Sequence, residues 1–308
     1  MQAEIIGLGE CSVDFFISVE DFCPVDDKIW ILKTESHPGG VTANFCVAVA
    51  KLGIKSGFMG SAGDDAYGQS ISRSFCRHGV DITQFSLEKD KITPLNYIIV
   101  NKRGERQILQ SPHMFSNSLL PDEISTEYIH AAKGLHTSGV RVKSAHKAME
   151  YARECGVTTS FDLERHVAVG GLSKLQPLLQ LTDILLPNKL GALELSKEKD
   201  ISVAAKKLRS FGPEVVVITL GEQGCLATTE DDQYRVPGFK VEAVDTTGAG
   251  DAFNASFVVA LHKGMKIGEA AEFANAVAAL KCTRMGAQSS PSLSEVETFL
   301  ANNPVRSL

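Results

Sequence analysis

The sequence predicts an α/β protein: a mostly parallel central sheet covered by helices on both faces, three layers in all, with a small β-sheet appended. Three observations lead there. From residue 121 onward, apolar runs alternate steadily between strand and helix periods, the pattern of a parallel sheet with helical crossovers. Two stretches, 15–35 and 94–111, hold paired strand-like runs with no helix between them and cannot belong to that alternation. The chain of 308 residues is 44% apolar and 22% charged, enough for an ample core, and has no repeat, low-complexity tract or long linker. The expected organisation is therefore one domain over 1–308, with the two β segments inserted in it.

Each element follows from local pattern. Residues 3–8 form an apolar run ending in Gly-Leu-Gly, a buried strand. Runs 15–19 and 29–33 alternate as half-buried strands around the turn-rich Cys23-Pro-Val-Asp-Asp27. Gly39-Gly40 opens a helix over 41–52, with Ala, Val and Phe three and four apart. A strand at 55–59 and a helix at 67–78, closed by Gly79, come next. Strands at 95–100 and 107–110 are joined by the hairpin signal Asn101-Lys-Arg-Gly-Glu105. Beyond Pro121, strands are expected at 134–137, 157–161, 184–186, 214–220, 225–229 and 233–236. Helices are expected at 144–154, 175–180, 190–195, 203–211, 249–264, 267–283 and 292–301.

Composition removes several function classes. A net charge of −6 argues against a nucleic-acid binder, which needs a basic stripe. No apolar run is long enough to span a bilayer, and the N-terminus enters a strand without a basic leader. Seven cysteines, an odd number without a C-x-x-C pair, fit a reducing compartment better than a disulfide framework. The expected location is cytoplasmic.

The chemistry concentrates in Asp245-Thr-Thr-Gly-Ala-Gly-Asp251. Gly248 and Gly250 let backbone N–H groups approach a ligand, and the helical pattern begins directly after them. The first N–H groups of a helix lack partners and carry the positive end of its dipole, so phosphate is their natural occupant. A carboxylate at that point can take the proton of a hydroxyl as it attacks phosphorus. An Asp with its ordinary pKa of about 3.9 is ionised at neutral pH. Taken alone, Asp251 also reads as a plain helix cap. Other phosphate grammars are missing: no G-x-x-x-x-G-K-[ST], no H-R-D and no D-F-G occurs, and Gly7-Leu-Gly9 lacks the third glycine of a dinucleotide fingerprint because Ser12 stands there.

These residues resemble a known family. Asp245–Asp251 resembles the signature of the ribokinase-like (PfkB) sugar and nucleoside kinases, and Gly39-Gly-Val-Thr-Ala-Asn44 resembles their N-terminal sugar-binding motif at the matching spacing of roughly 200 residues. The resemblance covers essentially the whole chain and makes the appended sheet a lid. It implies ATP and Mg²⁺ as cofactors, Asp251 as base, and Gly248, Ala249 and Gly250 as the anion hole. Asp14, at the end of the first strand, would bind sugar hydroxyls together with Gly40 and Asn44. Asn188, Thr219, Gly221, Gly224 and Asn275 would lie on the nucleotide side. Asp245, Thr247, Gly286 and Ser290, with backbone oxygens of Lys281 and Arg284, would hold a potassium ion beside the anion hole. Exposed lid strands imply a homodimer formed through the lid.

One departure stands out. The family pattern N-x-x-E, read from Asn188, has Gly191 where Glu is expected; Glu194, one turn later, is a candidate substitute for organising Mg²⁺. Specificity is expected at the lid, with Lys28, Gln110 and Arg141 as the residues facing substrate. Two cations there would suit an acidic sugar such as sulfofructose, and Lys281-Cys-Thr-Arg284 also looks like that branch; a neutral ketose or pentose fits equally. The rival functions are a nucleoside kinase, a non-catalytic sugar-sensing relative, and a dinucleotide-binding oxidoreductase.

Overall fold

A computed structural model describes residues 2–303. The strands are β1 (Ile5–Leu8), β2 (Ser12–Val19), β3 (Ile31–Gly39), β4 (Ser56–Gly63), β5 (Asp81–Glu88), β6 (Leu95–Val100), β7 (Arg106–Gln110), β8 (Gly134–Thr137), β9 (Thr158–Leu163), β10 (Ile184–Pro187), β11 (Val215–Thr219), β12 (Cys225–Thr228) and β13 (Gln233–Val236). The helices are α1 (Val41–Lys51), α2 (Ala66–His78), α3 (His113–Ser116), α4 (Thr126–His130), α5 (Val142–Glu154), α6 (Arg165–Ala168), α7 (Leu172–Leu179), α8 (Lys189–Ser196), α9 (Ile201–Arg209), α10 (Ala249–His262), α11 (Ile267–Cys282) and α12 (Leu293–Asn302). None of the described helices is long and apolar enough to cross a membrane.

Nine strands form the central sheet in the order β13-β12-β11-β10-β9-β8-β1-β4-β5. All pairs are parallel except β11–β12 and β12–β13. One core packs α1, α2, α10, α11 and α12 against one face; the other packs α4, α5, α7, α8 and α9 against the opposite face. Gly7 and Gly9 belong to this packing. A Cβ on Gly7 would come within 2.5 Å of Cys46 Sγ, and one on Gly9 within 2.1 Å of Thr42 Oγ1. The Gly-Leu-Gly run therefore lets α1 lie close on β1, which accounts for it without a dinucleotide.

The lid is a separate four-stranded sheet, β3-β2-β6-β7, in which β2 and β6 run parallel. Its first half is longer than the expected 15–19 and 29–33. β3 is an edge strand exposed along most of its length, so Thr34-Glu-Ser-His-Pro38 carries no apolar alternation to read. β5 has no counterpart among the expected strands. It pairs with β4 across a register shift between Gly57 and Met59, so its apolar residues fall at Ile82, Phe85 and Leu87, out of strict alternation. The expectation that Asp14 closes the first strand is also corrected. β1 ends at Leu8, the chain turns at once into the lid, and Asp14 is the third residue of β2.

Candidate active site

The segments following β1, β8, β9, β10 and β11 gather at the C-terminal edge of the parallel strands, the usual ligand crest of such sheets. The N-terminus of α10 comes to the same place. Gly248 is its N-cap with φ +78°, and a Cβ there would meet Ala287 O at 2.5 Å. Only glycine fits, in conformation and in space. Around Gly250 a Cβ would meet nothing within 4 Å, so the first turn of α10 is open. Its leading N–H groups lack helical partners.

Asp251 lies in that first turn. Asn44 Nδ2, on α1, donates to Asp251 Oδ2 at 2.7 Å, which joins the two sequence motifs directly. Burial pushes the Asp251 carboxyl up to about 8; the Asn44 bond opposes this, and Glu164, Glu10 and Asp14 add to it. This carboxyl is thus far from the ordinary carboxylate the sequence implies, because it is desolvated and three further acids lie near it.

Gly39 and Gly40 seat α1 against the lid. A Cβ on Gly39 would fall 2.2 Å from Asp14 Oδ2, and Gly40, with φ +97°, passes 2.6 Å from Cys11 Cα on the same measure. Asp14 Oδ1 accepts from Asn96 Nδ2 at 2.9 Å and Ser12 Oγ at 3.2 Å. Cross-strand register sets His37, Asp14, Asn96 and Gln110 in one row, on one face of the lid. Gln110 therefore shares the Asp14 face of the lid. Lys28 does not join it: it is exposed in the loop between β2 and β3. Arg141 precedes α5, and its Nη2 donates to Phe115 O at 2.6 Å.

Among the residues expected near a nucleotide, Asn188 caps α8, its Oδ1 accepting Gly191 N–H at 2.7 Å, and bridges to Thr219 at the end of β11. Gly221 and Gly224, at φ +63° and +83°, shape the turn into β12. Asn275 is buried, and its Nδ2 donates to Val236 O and Pro237 O, both at 3.1 Å, so its amide holds the segment after β13. Several of the residues expected to hold a cation lie around Asp245. Asp245 Oδ1 accepts Thr247 N–H and its Oδ2 accepts Gly286 N–H, both at 2.9 Å, and Ser290 is buried nearby in sequence. Burial works against the Asp245 charge, but these bonds and Lys281 hold its carboxyl below the usual range.

Several site residues carry no motif in the sequence. Glu10 is buried; Ser138 Oγ and Thr42 Oγ1 both donate to its Oε2. Asp162 is buried beside Asp251, and burial followed by Glu164, Asp251 and Glu10 raises its carboxyl. Glu164 pairs with His166 at 3.3 Å. Asn44 Oδ1, Asn96 Oδ1, Asn254 Oδ1, His37 Nε2 and Arg141 Nε are buried with no hydrogen-bond partner. Buried polar atoms are rarely left so unless a ligand satisfies them. A carboxylate directly after the Gly-Leu-Gly turn was the one legible signal, for Glu10. The others depend on strand register and on helix contacts.

Helix N-terminus, open glycine turn and adjacent carboxylate together define a phosphotransferase acting on a small hydroxylated acceptor. A family model described as pfkB family carbohydrate kinase matches residues 2–293. The chain is 30% identical to an ATP-dependent ribose-1-phosphate kinase from Halopiger xanaduensis, over 96% of this chain and 98% of that protein. It is 30% identical to a fructokinase from Solanum tuberosum, over 96% and 95% respectively. An E. coli protein assigned as a ribokinase II, solved with ATP and Mg²⁺, superposes with a TM-score of 0.85 at 25% identity, covering 98% of this chain and all of that one. The chain belongs to the pfkB family of carbohydrate kinases and has the ribokinase-like fold; it is an ATP-dependent sugar kinase of the ribokinase and fructokinase type.

Proposed function

We propose that the protein transfers the γ-phosphate of ATP to a primary hydroxyl of a ketose or pentose, with Asp251 as the base. The observation that carries this is the Asn44–Asp251 bond at 2.7 Å. It ties the hydroxyl-binding side to the carboxylate and leaves Asn44 Oδ1 as a buried acceptor for a sugar hydroxyl. In this reading Asp14, Gly40, Asn96 and Gln110 orient the acceptor under the lid. Gly248, Ala249 and Gly250 present N–H groups to the transferring phosphoryl group. Asn188, Thr219, Gly221 and Gly224 line the nucleotide side, and Asn275 shapes it through the backbone it holds.

Mg²⁺ would neutralise phosphate charge. The donor set fits a hard cation reached through water, with a change of residue. A Cβ on Gly191 would lie 2.3 Å from Leu163 O, so no side chain can start there. Glu194 is engaged by Lys197 at 2.6 Å and faces Arg165. Glu164, at the end of β9 and electrostatically coupled to Asp251, is the carboxylate we assign to the role of the missing Glu.

The acids Glu10, Asp14, Asp162, Glu164 and Asp251 favour a neutral sugar at the reacting end. A second reading is an acceptor with an anionic group farther out, as the ribose-1-phosphate kinase relative accepts. Its support is Arg141, whose Nε is buried without a partner. An ADP-release screen with hexoses, pentoses, nucleosides, sulfofructose and ribose 1-phosphate separates these readings. Turnover of a free sugar supports the first, turnover confined to nucleosides replaces it, and ATP binding with no turnover favours a sensor. Arg141→Ala should raise KM about tenfold for an anionic acceptor, the size of one charge-assisted hydrogen bond, and leave KM for a neutral one unchanged.

The lid also supports the dimer reading. Trp30 and Val25 are about nine-tenths exposed, and Ile31, Leu32, Ile108 and Leu109 are over half exposed. Open β3 and β7 edges beside these apolar side chains suit a second copy's lid. Light scattering that reports a monomer would exclude it.

A further inference from the structure

Among the described residues, Lys281 is the largest fully buried charged side chain; it lies in the last turn of α11. Burying an ammonium costs several kcal/mol unless its protons find acceptors, so its surroundings bear directly on its purpose. Its Nζ donates to Asp245 O at 2.7 Å and to Arg284 O at 3.4 Å, and lies 3.7 Å from Asp245 Oδ2. Three oxygens face it, which matches the three N–H groups of an ammonium ion.

Those oxygens belong to the cluster that the family resemblance assigns to potassium. A potassium ion does not fit them as they stand. Asp245 O and Arg284 O already accept from Lys281, and Gly286 O accepts Ser289 Oγ at 2.7 Å. A second cation would also sit against the first in a poorly screened interior.

The cluster connects straight to the anion hole. Val244 and Asp245 N–H both donate to Cys282 O, at 2.8 and 3.1 Å, strapping this segment to the end of α11. Asp245 then holds Thr247 N–H and Gly286 N–H, and the next residue, Gly248, is the N-cap of α10. Whatever neutralises Asp245 therefore fixes where the first turn of α10 stands.

We propose that the Lys281 ammonium is the protein's own monovalent cation, standing where its relatives' pattern calls for potassium, so that the anion hole is held without any added ion. A tethered cation is present at a fixed, high effective concentration and cannot be diluted away. Lys281 is thus a positioning residue, acting through Asp245 on the loop that meets phosphate.

The test compares the wild type with Lys281→Met in choline, sodium, potassium and ammonium chloride at about 0.1 M, a matched ionic strength. Wild-type Tm and turnover should be the same in all four salts. Lys281→Met should lose about 10- to 100-fold in turnover in choline, the usual loss when a supporting shell is removed, and regain most of it in potassium or ammonium but not sodium. Its Tm should rise with the same two ions. The melting arm needs no sugar, so it stands even if the acceptor assignment fails. A variant that folds only with potassium or ammonium supports the proposal equally. A wild type activated severalfold by potassium, or a Lys281→Met chain that no cation restores or folds, overturns it.

Discussion

In the proposed function, the phosphate-binding and sugar-binding halves of the crest are built by opposite means. The phosphate half is backbone: a glycine at φ +78°, the open first turn of α10, and a loop braced by Asp245 and Lys281. The sugar half is a row of side chains, His37, Asp14, Asn96 and Gln110, drawn from four lid strands. Backbone donors cannot vary without changing the fold, so on this proposal that half fixes what is transferred. A cross-strand row can be exchanged residue by residue, so the other half sets what receives it. Asn44 and Asp251 sit at the seam.

The contrast can be broken most severely at the seam. Asp251→Asn should lower turnover by about 10²–10⁴-fold, the span of general-base catalysis, and leave the fold intact. The same carboxyl sets the pH response. Its pKa is raised to about 8, so in the free enzyme the base is mostly protonated at neutral pH. Below that value kcat/KM should rise about tenfold per pH unit and then level off. For stability the sign is reversed: a raised pKa favours the folded state at low pH, and that contribution is lost as pH rises through about 8. Thermal melts should therefore show Asp251→Asn more stable than wild type at pH 8, with the gap closing toward pH 4.

A smaller effect is expected within the sugar half. Asp14→Ala removes a buried carboxylate held by Asn96 and Ser12. It should cut kcat/KM about 10- to 100-fold, carried by KM for the sugar, while KM for ATP is unchanged. An equal rise in both would erase the division between the halves. The clearest effect on stability belongs to Gly248→Ala. Positive φ and the 2.5 Å approach to Ala287 O should cost about 1–3 kcal/mol, read as a few degrees of Tm.

The same contrast decides what the sequence could tell. The proposed anion hole and base lie in seven consecutive residues, so local chemistry exposes them, and most of the central sheet is legible because its strands carry short apolar runs that alternate with helical patterns. The lid row is spread over residues 14, 37, 96 and 110, and only strand register brings it together. β3 is too exposed to show a period, and β5 loses its period at a register shift. Lys28 is expected on the lid facing substrate, yet it is exposed in the loop between β2 and β3. Lys281 was legible only as a supplier of a backbone oxygen; that its side chain folds back onto Asp245 depends on the turn closing α11. The raised carboxyl of Asp251 comes first from its burial and then from Glu164, Glu10 and Asp14, none of them near it in sequence.

The most direct test of the central claim is ³¹P NMR of the product formed from ATP and the best acceptor of the screen. The account predicts a phosphomonoester coupled to two equivalent-type protons of a CH₂ group, absent when Asp251→Asn replaces the wild type. A signal coupled to a single CH proton, or product formation by Asp251→Asn at the wild-type rate, would contradict it.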